Sequence, residues 1–563
     1  DDLAFLVAHL RESCNLGFGY LDASWVTVAC IVVFPAAVVS GYQFPLLFAL
    51  LGRGREGVAR QIGLVYGYNT IGTIAGSLLG GFVLVPALGA VTSWRWLGVS
   101  LLVLGGIYAA ASWTEKRAKN EPRWPLVPAF AVVLGVALAV TDGPGAVWRH
   151  TPIGAGRLPI ARRSPNELIA KRRLMARDVI WERDGIESSV ALSVRSGLQF
   201  IVNGKSDGSV IGDRGTQAFI GLLPAILHGS VKSSFVVGLG SGMTAGILGR
   251  VEEVEKVTVA ELEPSIVEVA RRSHAANGNV LDNPRVDIQF GDGRELLLTS
   301  RDEYDLIVSE PSNPYRIGIS ALFTREFYEA ADSRLRPRGY FAQWIQGYEI
   351  DAETIAIALH TMRQVFPHVS VWGPEGTDLL LLGSHHEQVF DLARLTELSA
   401  RADYRTWIER TWLMDGPESV LAHLIVPAPL VDQLVETVPH SVNTDDLNYM
   451  EFAFARLVGK QDFDVVSDMF SLVRTWSTRP AVNGDVDWAR VDDLRTRNRW
   501  PGYEGPPPSS KEQAVQRGCL DGTPAARIDW PDGMMPQDVA ELWVFAKQLS
   551  GRGDERALAA ATE

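Results

Sequence analysis

The chain is poor in cysteine, and the few it has carry no pattern. Cys14, Cys30 and Cys519 are the three in 563 residues, and their scatter gives neither a zinc-site spacing nor a disulfide framework. No metal site is therefore expected. Positive charge is also short, with 53 Lys and Arg against 66 Asp and Glu and a net charge of −13. That balance argues against a nucleic-acid partner, which needs a basic patch.

Charge of either sign is missing from four stretches of the first quarter. Trp25 to Leu51 and Gln61 to Trp94 contain no charged residue, and neither do Trp96 to Thr114 and Trp124 to Thr141. A bilayer core takes roughly 20 apolar residues in helical form. The first two runs exceed that length and the third suffices. The fourth is marginal, because Pro125 and Pro128 stand at its start. Soluble core helices rarely run so long without a polar face, so a transmembrane region in contact with the lipid bilayer is expected. Gly72, Gly76 and Gly80 recur every four residues, a spacing that lets helices approach closely in a membrane. No short apolar core with a cleavage site marks a signal peptide. The chain opens on Asp1 and runs directly into Leu3–Leu10, so a processed or partial chain with earlier helices is expected.

The basic residues of this quarter lie between the runs. Arg53, Arg55 and Arg60 follow the first, and Lys116, Arg117, Lys119 and Arg123 follow the third, while Pro86 to Ser93 carries no charge. Positive charge marks cytoplasmic loops, so both clusters are expected inside. The fourth run then decides the rest. If it spans, the soluble part lies outside; if it is re-entrant or interfacial, the soluble part lies inside beside Arg149, Arg157, Arg162 and Arg163.

From about Gly143 the sequence turns mixed and polar. Val179 to Lys205 reads as short strands, with turns at Arg195-Ser196-Gly197 and Asn203-Gly204, and a small antiparallel layer follows from that pattern. Gln217 to His228 reads as a helix. Strands are then expected at Phe235–Val237, Val257–Ala260, Val286–Phe290, Leu306–Val308 and Tyr340–Trp344, with helices between most of them. That alternation predicts a parallel sheet covered on both faces. After Gly383 the pattern is mainly helical, as at Asp391–Ala400 and Met450–Leu457. A Pro/Gly-rich linker, Asn498 to Lys511, precedes a last helix at Pro536 to Leu549.

Four motifs stand at the ends of predicted strands. "VVGLGSG" carries Gly238, Gly240 and Gly242, where glycine lets backbone approach a ligand closely. Glu261 ends "VTVAE" and could accept both hydroxyls of a ribose. Asp292 in "FGDGR" could accept from an adenine amino group or cap the following helix. "YDLIVSEPSNPY" ends in Glu310, Ser312 and Asn313. Open α/β sheets bind ligands in such a crevice at the carboxyl ends of their strands.

These motifs, with "LQFIVNGKSDGS", "TQAFIGLLPAILH" and "NTDDLNYMEFAFAR", resemble the spermidine synthase (polyamine aminopropyltransferase) family, above all its bacterial members fused to transmembrane helices. The likeness runs over roughly residues 25 to 457. It implies a transmembrane helical region (1–142), a linker with a small β layer (143–215) and a Rossmann-like domain of the class I methyltransferase type (216–390). A helical C-terminal extension (391–497) and a linker with a helical tail (498–563) complete the expected order. It also implies a bacterial inner (cytoplasmic) membrane location with several passes.

In the family the glycine loop and the acids bind decarboxylated S-adenosylmethionine; S-adenosylmethionine itself is the other co-substrate considered. Glu261 would then hold the ribose, Asp292 the adenine, and Gln217 would line the nucleoside pocket. Glu310 would replace the family's catalytic aspartate and accept the proton of an attacking amine. Ser312, Asn313 and Gln343 are the candidates on the acceptor side. The chain departs from the family at Ser241, where the glycine loop commonly carries an acid, at Thr216, where an aromatic residue is expected, and at Asn313, where a second acid is expected. Loss of two acids should weaken a site for a dicationic amine, by on the order of 4 kcal/mol per close pair. Two functions follow. One is a membrane-anchored transferase acting on a small-molecule amine. The other is a catalytically silent accessory or scaffold subunit, whose partners would be other subunits of a membrane complex or a second copy.

Overall fold

The computed structural model describes residues 18–51, 58–118, 132–133, 135–136, 145–150, 164–195, 197–316, 318–374, 377–410, 412, 416–436, 441–453 and 479–498. The Pro/Gly-rich linker and the last helix expected at Pro536 to Leu549 lie outside these residues, as does most of the fourth uncharged run.

The described residues of the first quarter are helical for the most part. Phe18–Leu51 forms one helix with Pro35 and Pro45 inside it. Among the described residues, two helices are long and apolar enough to cross a membrane, Ala59–Leu88 and Ala90–Ala111, with mean hydropathies of 1.9 and 1.4. Ala29–Gln43, within the first run, is apolar but shorter. Among the described residues, a Cβ on Gly72, Gly76 or Gly80 would meet nothing within 4 Å. No described helix packs against these glycines.

Gly89, at φ 81°, breaks the chain between the two long helices. The free amide of Ala90, at the start of the second, donates to Asp184 Oδ2 at 2.7 Å, which satisfies one of the orphan donors of a helix N-terminus. Arg149 donates to the other oxygen of the same carboxylate. Asp184 ends β1, so this one acid fastens the helical quarter to the small sheet.

That sheet is antiparallel in the order β1-β2-β3-β4, from Val179–Asp184, Ser189–Ser193, Gln199–Val202 and Lys205–Ser209. The large sheet has eight strands. Its centre is β5 (Ser233–Val237), β6 (Lys256–Glu261), β7 (Val286–Phe290), β8 (Tyr304–Ser309) and β9 (Leu335–Gln346), joined by parallel pairing in the order β7-β6-β5-β8-β9. Each expected strand falls inside one of these. Residues of β8 are buried throughout, which suits its near-continuous apolar run.

The expected all-parallel sheet is corrected at one edge. β11 (Asp378–Ser384), β10 (His368–Trp372) and β13 (Leu424–Val426) extend it by antiparallel pairs. The reason is connection length: β10 and β11 are separated by a short turn, whereas a parallel return needs a crossover of a dozen or more residues. The stretch after Gly383 is also less helical than expected. β13 belongs to the large sheet, β12 (Val389–Asp391) pairs with β14 (Ala481–Asn483), and Met450–Ala453 is a turn rather than a helix.

Two cores cover the sheet. Helix Arg214–His228 contributes Phe219, Leu222 and Leu223 to one face, together with Val308, Ala342 and Leu380. Ile307, Phe341, Ile345 and Leu381 face the other, against Phe327 and Met362. Side chains alternate along a strand, so these memberships fix which face each neighbouring residue uses.

Candidate active site

The glycine loop joins β5 to helix Met243–Leu248. Gly238, Gly240 and Gly242 have φ of 95°, 50° and 80°, the region L side chains avoid. Space is tight as well: a Cβ on Gly242 would lie 2.6 Å from Val280 Cγ1. Glu261, at the end of β6, is buried, and its carboxylate accepts from Leu239 N at 2.9 Å and Glu263 N at 2.8 Å. The acid thus holds the loop in shape. Burial pushes its carboxyl above the usual range.

Asp292 performs the capping role considered for it. Its Oδ1 accepts from Arg294 N at 2.8 Å and Glu295 N at 3.0 Å, starting helix Gly293–Thr299, while Oδ2 takes no part in the cap. The residue is exposed at the strand end next to β6, so capping and binding do not compete.

Glu310 follows β8 on the same face as Val308. Thr244 donates to its Oε2 at 2.6 Å, and the same hydroxyl lies 3.0 Å from Gln217 O. Desolvation, with Asp378 and Asp213 nearby, raises its pKa to about 7. Asp378 has a pKa raised to about 7 for the same first cause. It accepts from Thr216 Oγ1 at 2.9 Å and from the side chain of Trp344. Asp213 is raised too, by burial, and accepts from Ser209 N at 2.6 Å.

The three departures each have a partner. Ser241 donates to Gln217 Oε1, whose amide nitrogen reaches Ser209 O at 3.2 Å. Thr216 holds Asp378. Asn313 accepts from Lys205 Nζ. Ser312 donates to Asp207 Oδ1 at 2.8 Å, and Arg316 bonds both Ser312 and Asp207. The loop after β8 is therefore strapped to β4. Gln343 is not brought to this cluster: between Ala342 and Trp344 on β9, it lies on the opposite face among Phe341 and Ile345, and its Nε2 donates to Trp344 O at 3.2 Å. Among the described residues, no group of three or more His, Cys, Asp or Glu is arranged to hold a metal ion.

Residues 214–372 match the spermine/spermidine synthase domain. The chain carries a spermidine synthase domain. A polyamine aminopropyltransferase of Nitrosomonas europaea is 29% identical over 236 residues, which are 40% of this chain and 71% of that protein. A protein of the same name from Mycobacterium tuberculosis is 26% identical over 394 residues, covering 67% of this chain and 69% of its own. The chain spans about half, 53%, of the Clostridium perfringens relative, at 31% identity. The crystal structure of spermidine synthase from Thermotoga maritima is 19% identical with a TM-score of 0.38, over 46% of this chain and 87% of that one.

The sequence pattern located the glycine loop, Glu261, Asp292 and Glu310 but missed Asp213, Thr244, Glu263 and Asp378. Asp213 and Asp378 lie just outside the matched stretch. Asp378 had no sequence signal, because it enters the site only through an antiparallel strand that the parallel pattern did not foresee. Glu263 had one: two acids alternate in "AELEP". The second is buried and receives Glu187 N at 2.9 Å and Ser188 N at 3.2 Å, tying the β1–β2 turn to the site.

Proposed function

We propose that this chain is a membrane-anchored transferase that moves an aminopropyl or related alkyl group from decarboxylated S-adenosylmethionine, or S-adenosylmethionine, to an amine. The amine nitrogen bonds to the carbon next to the donor sulfur. The carbon–sulfur bond breaks, its electron pair stays on sulfur as a thioether, and the nitrogen's proton passes to Glu310. A proton acceptor works best when its pKa lies near the working pH. The observation that carries the reading is therefore Glu310 itself, at the strand end beside the glycine loop with a pKa of about 7. On the donor side, this reading assigns Glu261 to the ribose, Asp292 Oδ2 to the adenine amino group and Gln217 to the nucleoside pocket.

Calorimetry on the full chain in detergent tests this. Decarboxylated S-adenosylmethionine, S-adenosylmethionine or methylthioadenosine should bind, and Glu261→Ala or Asp292→Ala should weaken that binding. No binding by any of the three would sink the transferase reading.

A second reading, an accessory or scaffold subunit of a membrane complex, is favoured by the position of Asp184. Ala90 and Arg149 both bond to it, so the start of helix Ala90–Ala118 and the chain at Arg149 share one end of that helix. Gly135 lies against Leu102, partway along it: a Cβ there would come within 2.2 Å of Leu102 Cδ2. Ala118 and Gly145 therefore lie toward opposite ends of this helix, on the order of 40 Å apart at 1.5 Å per residue. That supports a spanning fourth run, with the spermidine synthase domain opposite both basic clusters. By the positive-inside rule this is the outer side, where a soluble adenosyl donor is not supplied.

Cysteine labelling decides between the sides. In a cysteine-free chain, Ile211→Cys, at an exposed position, is challenged with a membrane-impermeant maleimide in intact cells. Labelling supports the scaffold reading; protection until the cells are opened supports the transferase.

A further inference from the structure

We infer that Asp378 holds the non-reacting ammonium group of a short diamine whose other nitrogen reaches Glu310. The inference rests on the transferase reading and names a residue that decides which amines the site accepts.

Asp378 opens β11 directly opposite Gln346 of β9, and directly opposed residues of an antiparallel pair share a face. Gln346 is 1% exposed, yet neither of its side-chain polar atoms has a hydrogen-bond partner. Such a buried amide costs free energy unless something else satisfies it. An ammonium group has three donors and no acceptor, so it can bond to Gln346 Oε1 and to the Asp378 carboxylate together. Thr216 and Trp344 each donate to that carboxylate. An ionised carboxylate has about four acceptor sites, so room remains for the ligand.

Position supplies the second half. The strand order runs β11-β9-β8, so the backbones carrying Asp378 and Glu310 are two inter-strand spacings, about 10 Å, apart. Trp344 lies on the same face as Gln346, two residues before it, and pairs opposite Leu380. Its indole offers an apolar surface between the two acids for the methylenes of a diamine. Ser241 and Asn313 leave the glycine loop and the β8 loop without a second acid; Asp378 returns one from a different strand. Lys205, bonded to Asn313, puts a cation where that acid is absent, and its charge also reaches Asp378 and Asp213.

The test uses the full chain in detergent, with methylthioadenosine titrated first and then 1,4-diaminobutane or n-butylamine. The diamine should bind about tenfold more tightly than the monoamine. Asp378→Asn should remove that preference, with butylamine binding changed by less than about twofold. Gln346→Leu covers the case in which Asp378→Asn fails to fold. It replaces an unpartnered amide with an apolar side chain of similar size, so it should leave the thermal midpoint unchanged or raised while weakening diamine binding about tenfold. Failure of methylthioadenosine to bind overturns the transferase reading and this inference with it. Normal methylthioadenosine binding overturns the Asp378 assignment alone if diamine and monoamine bind equally, or if both variants keep the diamine preference.

Discussion

Thr216 donates its hydroxyl to Asp378 at 2.9 Å across 162 residues of chain. A phenylalanine at position 216 could not make that bond. The three positions where this spermidine synthase domain departs from its family are thus built into a different polar arrangement. Two acids, Asp213 and Asp378, stand beside Glu310. Under the transferase reading, these two carboxylates offset the weakening expected from Ser241 and Asn313.

Thr216→Val should expose the worth of that bond. It takes one donor from a partly buried carboxylate, at a cost of about 1–3 kcal/mol when the acid is ionised. The loss should be larger at pH 8 than at pH 5, where Asp378 is protonated on either side of the comparison. Denaturant unfolding in detergent at the two pH values measures it. An equal loss at both would show that the hydroxyl matters for packing rather than for the charge.

Glu310 and Asp378 both have pKa values raised to about 7, and the sign of the consequence is fixed. Between the ordinary carboxyl value, near 4, and about 7 the folded chain holds protons that the unfolded chain has released. Stability therefore falls as pH rises through this window. Glu310→Gln should unfold at a higher temperature than the parent at pH 8 and show little gain at pH 4. Thermal scans at both pH values provide the check.

The same variant should stop the chemistry. Glu310→Gln cannot accept a proton, and loss of a general base typically costs about 10²–10⁴-fold in rate. Methylthioadenosine affinity should be unaffected. In the parent chain, kcat/KM should climb as pH rises through about 7 and then level off, following the ionisation of Glu310.

Gly242→Ala should damage the donor side without touching an acid. The position has φ 80° and a Cβ would press on Val280 at 2.6 Å. Backbone strain of this kind costs on the order of 1–3 kcal/mol, and contact with Val280 adds to it. Both the thermal midpoint and methylthioadenosine affinity should drop. Unchanged affinity would show that the loop conformation is not needed for the nucleoside.

Asn443 tests the segment that closes the far side of the domain. It is fully buried, donates to Phe323 O at 3.0 Å, receives Met450 N at 3.3 Å, and its own amide reaches Thr361 at 2.9 Å. Asn443→Ala leaves the Phe323 carbonyl and the Met450 amide unpartnered and should destabilise the domain by about 2–4 kcal/mol. Arg294→Ala, which breaks the more exposed pair with Asp445, should cost less than about 1 kcal/mol. Chemical denaturation ranks the two.

The sequence by itself determined the five parallel strands, the antiparallel layer before them, and the motifs at Gly238–Gly242, Glu261, Asp292 and Glu310. Those signals are local: apolar runs of strand length, glycine where φ must be positive, and an acid at the ends of β6, β7 and β8. It also marked the charge-free helical runs, because an absence of charge needs no partner to be seen. Tertiary structure alone decided what surrounds Glu310. Asp378 meets Thr216 and Glu310 through an antiparallel strand, and which strands pair across a sheet is a long-range choice that no local pattern records. The same holds for Gln343, which alternation turns to the other face once the register of β9 is fixed. It holds too for Asp184, an unremarkable acid in sequence that fastens the helical quarter to the sheet because Ala90 and Arg149 both fold back onto it.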